Sequence, residues 1–220
     1  RLTTEKVPPL EMPRPGALRR DGGEYVIFDG QALWDRWLWK GDKAHEMFRY
    51  VEHADGVLNI TTQSEGRRPW LGMQAAEPMI WLDDLSDGRE ASLVFELDGA
   101  QSHNVTFSLV QMHALEANNS ANDDFFLTAQ AQADGTVTVT AGQRKLTEDH
   151  VVLEGLAAIP DRIALHLRDG AVVAEVGDEI LPPIAYPGAY RGVGLRPMIT
   201  VQADDLGEGA VALRAIRATV

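Results

Sequence analysis

The chain has no cysteine, which removes a disulfide framework, a thiolate metal site and a cysteine nucleophile together. It is also short of positive charge: 20 Lys and Arg against 33 Asp and Glu leave a formal charge of −13. Phosphate backbones and anionic membranes are held by basic surfaces, so nucleic acid is disfavoured as a partner, and a neutral glycan or a cation is easier to accommodate. No apolar run reaches the ~18 residues of a membrane span, and no signal-peptide apolar core is seen, so membrane insertion is not expected. There is no Gly-rich phosphate loop, Gly-x-Ser-x-Gly elbow, His-Glu-x-x-His or Rossmann fingerprint, which disfavours nucleotide and zinc-hydrolase readings. Long helical periodicity is missing, as is any repeat of propeller or solenoid length.

What is present is strand periodicity. In Glu90 to His113, Leu93, Phe95 and Leu97 take one parity while Ser92, Val94, Glu96 and Asp98 take the other, the period of a strand with one face in a core. A turn signal at Asp98-Gly99 precedes a second run with Val105, Phe107 and Leu109 inward. These two runs are expected to form a hairpin in the middle of a sheet. Seven Asp-Gly pairs, at Asp21, Asp29, Asp55, Asp87, Asp98, Asp134 and Asp169, punctuate the chain and favour antiparallel strands joined by tight turns. Hairpins are expected across Asp55-Gly56, Asp134-Gly135 and Asp169-Gly170, with closing strands over residues 192–202 and 210–220. About a dozen strands would curl or split a single open sheet. The expected fold is therefore all-β, a two-sheet antiparallel sandwich with few short helices.

With 220 residues and 45% apolar composition the chain can build one core. Arg1 to Gly23 carries four of the eleven prolines and no periodicity, so residues 1–23 read as an extended arm and residues 24–220 as a single domain. A chain that begins at Arg1 is expected to have lost an N-terminal segment, which fits an extracytoplasmic protein. Trp34, Trp37 and Trp39 form the densest aromatic cluster; the three-residue spacing of Trp34 and Trp37 suits a short helix or loop plugging one end of the core, with a sugar platform as the alternative.

Several segments resemble one family. Y-V-I-F-D-G-Q-A-L-W-D-R-W (Tyr25 to Trp37) is similar to the opening of 3-keto-disaccharide hydrolase-like domains, and Y-V-E-H-A-D-G-V-L-N-I (Tyr50 to Ile60) to their following hairpin. R-I-A-L-H-L-R-D-G-A-V-V-A-E-V-G-D-E-I (Arg162 to Ile180) resembles their late hairpin, with Gly177-Asp178-Glu179 where Asn-Gly is usual, and G-V-G-L-R-P with V-A-L-R-A-I-R-A-T-V resembles their closing strands. The resemblance implies a concanavalin A-like jelly roll that binds or cuts glycans on a concave face. Residues 67–87 and 115–124 match nothing in it.

Glycosidic cleavage needs a proton donor and a second carboxylate about 5–5.5 Å or 6.5–9.5 Å away. Glu96 and Asp98, two apart on one strand face and so about 6.5–7 Å apart along it, are the candidates. Glu96-x-Asp98-x-x-Gln101 also resembles the Glu-x-Asp-x-x-Glu motif of laminarinase-type glycosidases, except that the third position, the acid there, is a glutamine that has no proton to donate. His113 and Glu116 are further acid–base candidates. Arg67, Trp70, Trp81 and Gln101 are candidate substrate contacts, a Trp stacking on a sugar ring while polar neighbours orient it. Asn119, Asp123 and Asp124 concentrate oxygen ligands as calcium would require, although without the spacing of a known calcium loop.

The sequence thus supports an exported, glycoside hydrolase-like protein with a concave acidic groove containing Glu96 and Asp98 flanked by Trp70 and Trp81. The alternative is a non-catalytic carbohydrate-binding or adhesion domain of the same fold, with calcium as an optional stabiliser. A third reading is a structural module of a larger surface protein.

Overall fold

The computed structural model describes residues 14–16, 19–21, 23–41, 44, 49–63, 69–85, 88–112, 123–143, 151–168, 170–185, 194–203 and 208–220. Its strands in chain order are β1 (Arg14–Gly16), β2 (Arg19–Asp21), β3 (Glu24–Phe28), β4 (Ala32–Trp34), β5 (Trp37–Lys40), β6 (Val51–Ala54), β7 (Val57–Gln63), β8 (Trp70–Ala75), β9 (Ile80–Trp81) and β10 (Ala91–Leu97). There follow β11 (Val105–Met112), β12 (Asp123–Ala131), β13 (Val137–Gly142), β14 (Val151–Leu156), β15 (Arg162–Arg168), β16 (Ala171–Val176), β17 (Glu179–Ile180), β18 (Ile184–Ala185), β19 (Gly194–Gln202) and β20 (Glu208–Thr219). Among the described residues the only α-helix is the single turn α1 (Leu82–Leu85).

These strands form two sheets. Sheet A has 12 strands, in the order β1-β4-β3-β20-β10-β15-β16-β17, with β7 also on β20, β6 on β7, β2 on β3 and β18 on β16. Sheet B has eight, in the order β14-β13-β12-β11-β19-β8-β5, with β9 on β19. All pairs are antiparallel except β1 with β4. Part of the proline-rich N-terminal segment joins sheet A, since β1 pairs with β4 and β2 with β3.

The alternation legible in the sequence decides which side chains meet. Leu93, Phe95 and Leu97 of β10 and Ile163, Leu165 and Leu167 of β15 face inward from sheet A, while Val105, Phe107 and Leu109 of β11 and Leu127 and Val139 face inward from sheet B; all are buried. The sheets lock together where Phe95 meets Phe107, ring centroids 4.7 Å apart at 43°.

That contact corrects the expected central hairpin. β10 lies in sheet A and β11 in sheet B, so the two runs face each other across the core and do not pair. Asp98-Gly99 opens a 3₁₀ turn, Gly99–Gln101, that carries the chain between sheets. Gly99 is needed for close approach: a Cβ there would sit 1.7 Å from the Ile159 carbonyl oxygen, and its N–H donates to Asp161 Oδ1 at 2.9 Å. At Asp55-Gly56 the same signal works as a hairpin turn. Asp55 (φ 52°) and Gly56 (φ 77°) are both left-handed between Ala54 and Val57, the two-residue turn that matches strand twist. Hairpins also form at β12-β13 and β15-β16.

Of the short helix or loop expected around Trp34 and Trp37, the structure has a two-residue turn between two strands and no helix. Trp34 ends β4 and Trp37 begins β5, both are buried, and Trp39 packs half-buried against the core. Their three-residue separation spans a turn between sheets, which a helical periodicity imitates.

Candidate functional site

A sandwich offers two outer faces, and here they differ in chemistry. On sheet A, Val94 and Glu96 of β10 point away from the core and register against Ala164 and Arg162 of β15. Asp98, half-buried just beyond β10, meets the exposed guanidinium of Arg214 at 2.9 Å and accepts a bond from Gln101 Nε2 at 3.3 Å. Farther along this face Glu175 is held by Arg162 and by His166 Nε2 at 2.9 Å. The hydrogen bond from His166, with the charge of Arg162 in support, keeps the Glu175 carboxyl below its ordinary range. Arg168 pairs with Glu90 at 3.0 Å and Arg217 with Glu24 at 3.8 Å. The face is a set of mutually compensated charges.

The middle of sheet B is organised in rows of mostly uncharged side chains, with Lys40 on the edge strand β5 at the end of one of them. Cross-strand partners point to the same side, so the register gives each row directly. One runs Leu38, Gln74, Met198, Ser108, Phe126, Gly142 across β5, β8, β19, β11, β12 and β13. The next runs Thr200, Thr106, Thr128, Thr140 over four adjacent strands, at the ~4.8 Å spacing of strands in a sheet. Thr106 and Thr128 join their hydroxyls at 2.9 Å. On the other side of the first row Val110 registers against Arg196. Ser108, Val110, Gln74, Met198 and Arg196 are all buried although they point away from the core.

Arg196 is the one buried basic side chain among the described residues, only 8% exposed. Its Nε is buried with no hydrogen-bond partner, and burial alone lowers its pKa from the ordinary arginine value. A guanidinium starts so high that it stays a cation. Three side chains lie diagonal to it on the same face, a separation of about 7–8 Å: Gln74, Ser108 and Trp81.

The expected site residues fall on both faces. Trp81 is 44% exposed on β9 and registers against Gly194, where a Cβ would come 3.2 Å from its ring. Trp70 opens β8 and is half-buried against Gly41, whose Cβ would meet the Trp70 ring at 2.8 Å, so its ring packs on backbone. Glu96, Asp98 and Gln101 belong to the sheet A side and both tryptophans to sheet B, so one groove flanked by both sets is not assembled. Asp123 and Asp124 open β12, with Asp123 registering against Val110 across a bulge. Arg67, His113, Glu116 and Asn119 lie outside the described residues. Among the described residues no three His, Asp or Glu side chains group as a metal site, and no helix is long and apolar enough to cross a membrane.

No protein-family model matches the chain, and no curated protein matches it. Solved structures do. The carbohydrate recognition domain of Emp47p superimposes with a TM-score of 0.56 at 9% identity, covering 91% of this chain and 99% of that one. The exoplasmic/lumenal domain of VIP36, in a Ca²⁺/Man3GlcNAc-bound form, gives 0.54 at 9% identity over 92% of this chain and 90% of that one. Family 7 alginate lyase A1-II′ with bound product gives 0.51 at 8% identity over 77% and 83%. The chain has the concanavalin A-like jelly-roll fold. Such distant likeness establishes architecture only, so the expected jelly roll stands while the narrower resemblance to 3-keto-disaccharide hydrolase-like domains rests on the sequence segments alone.

Sequence reasoning passed over Arg196, Gln74 and Ser108. The signal was available: Leu195, Ile199 and Val201 inward in G-L-R-P-M-I-T-V force Arg196 and Met198 outward. What alternation does not say is whether an outward side chain is wet, and here it is shielded.

Proposed function

We propose that this protein is a carbohydrate-directed jelly roll whose glycan lies on the outer face of sheet B, and that it works outside the cytoplasm. The observation that carries the reading is the row of partly exposed threonine hydroxyls, Thr200-Thr106-Thr128-Thr140, on the same face as the exposed indole of Trp81. Sugars present hydroxyls around an apolar ring face, and rows of hydroxyls beside an aromatic platform are complementary to both. The carbohydrate recognition domain of Emp47p and the Ca²⁺/Man3GlcNAc-bound domain of VIP36 share this architecture. The test is glycan-array binding followed by titration: Trp81→Ala loses about tenfold or more of the affinity while Glu96→Gln keeps it. Binding that survives Trp81→Ala and Thr128→Val together would remove the assignment.

A second reading is glycoside hydrolysis of the 3-keto-disaccharide hydrolase-like kind on sheet A. It is favoured by the exposure of Glu96 beside an Asp98 held in place by Arg214. It predicts sugar release that Glu96→Gln abolishes without unfolding the protein. Calcium at Asn119, Asp123 and Asp124 belongs to either reading as a stabiliser: chelation should lower the melting temperature and added Ca²⁺ restore it, and an unchanged melting curve rejects it.

A further inference from the structure

Arg196 has a property that neutral sugar binding does not require. Its side chain is more than nine-tenths buried, and no described carboxylate reaches it. Every other described ion pair in the molecule is made on the sheet A side or at the exposed Arg36–Glu77 contact. A desolvated, uncompensated cation is costly, and removing it would ordinarily be neutral or stabilising. In a protein with a formal charge of −13, carboxylates are plentiful, yet among the described residues none is paired with Arg196.

We infer that the sheet B site takes an acidic glycan, one whose sugar ring carries a carboxylate, and that Arg196 is the group that binds it. This deepens the proposed glycan site and rests on it. A guanidinium presents its donors in the fixed planar arrangement that a carboxylate matches. Gln74 and Ser108, both diagonal to Arg196, are uncharged and leave its charge without a counterion beside it. Trp81, diagonal on the third side, sits one sugar-sized step away to stack on a ring. Specificity follows from what is left unpaired: a neutral sugar would leave the buried guanidinium without a counterion, so the site selects for charge.

The experiment is calorimetric titration of the whole chain with a panel of uronate oligomers and with the same oligomers after carboxyl reduction, using wild type, Arg196→Met and Trp81→Ala. Wild type should bind at least one uronate oligomer saturably and its reduced form at least about tenfold more weakly. Arg196→Met should erase that difference and melt no lower than wild type, because it deletes an unpaired buried charge of similar volume. Equal binding of charged and reduced oligomers by wild type and Arg196→Met, still sensitive to Trp81→Ala, would overturn the acid preference and leave the glycan site standing. A marked drop in melting temperature for Arg196→Met, with both oligomer forms weakened equally, would make Arg196 a structural group and also overturn it. No binding of any glycan, charged or neutral, would overturn the glycan site and this inference with it.

Discussion

The outer faces of sheets A and B are built from strands of the same period, yet they deal with charge in opposite ways. On sheet A four arginines and a histidine have acidic partners close by: Arg162 and His166 on Glu175, Arg214 on Asp98, Arg168 on Glu90, Arg217 on Glu24. These pairs are partly exposed, so each contributes little to stability and their collective effect is a solvated, neutralised surface. In the middle of sheet B threonines, a serine and a glutamine stand in place of charges, with Lys40 at the edge strand, and the single buried cation among the described residues has an Nε without a partner. A surface that only has to be soluble needs no buried lone charge. Sheet B is therefore the face on which a ligand is expected to complete the electrostatics.

The sharpest way to break this comparison is to place the same charge on both faces. Ser108→Lys sets an ammonium in a buried position diagonal to Arg196 and should destabilise by at least about 3 kcal/mol in urea denaturation. Ser92→Lys makes the same change on sheet A, opposite His166 and Thr219, and should stay within about 0.5 kcal/mol of wild type. Similar costs at the two positions would mean that the sheet B face is as wet as the other, and the argument for a shielded site would fall.

The fold was readable because burial of one strand face is a local, period-two property. Leu93-Phe95-Leu97, Val105-Phe107-Leu109 and Ile163-Leu165-Leu167 all point inward as their alternation requires. Pairing was less readable, because which strand lies beside which depends on contacts distant in sequence. β10 pairs with β15 and β20, and the Asp98-Gly99 turn that looks like a hairpin crosses between sheets around the Ile159 carbonyl. The site was the least readable part for the same reason. Glu96 and Asp98 attracted attention as acids in sequence, while Gln74, Ser108, Trp81 and Arg196 become neighbours only through the pairing of β8, β9 and β11 with β19.

A smaller effect is expected at the bridge between Asp98 and Arg214. Arg214 is about half exposed, so Asp98→Asn should cost less than about 1 kcal/mol, and high salt should shrink that further. Under the sheet B reading the substitution leaves glycan affinity unchanged. A large loss of sugar release in that variant would instead favour chemistry on sheet A, with Asp98 as a participant.

The smallest effect carries the most diagnostic sign. The Glu175 carboxyl titrates below its ordinary value of 4.5 in the folded protein because His166 donates to it and Arg162 lies beside it. Between the folded and unfolded values the unfolded chain binds more protons, so stability rises with pH there. The contribution is complete above the unfolded value and is lost as pH falls through the folded one. Glu175→Gln cannot titrate. Its stability deficit relative to wild type should therefore be constant from neutrality down to about pH 5 and shrink as the medium is acidified below that. Equilibrium denaturation of both proteins at pH 6 and near pH 3 measures the difference directly. A deficit that is the same at both values would mean that Glu175 acts by packing and not by charge, and sheet A would lose its best example of a compensated pair.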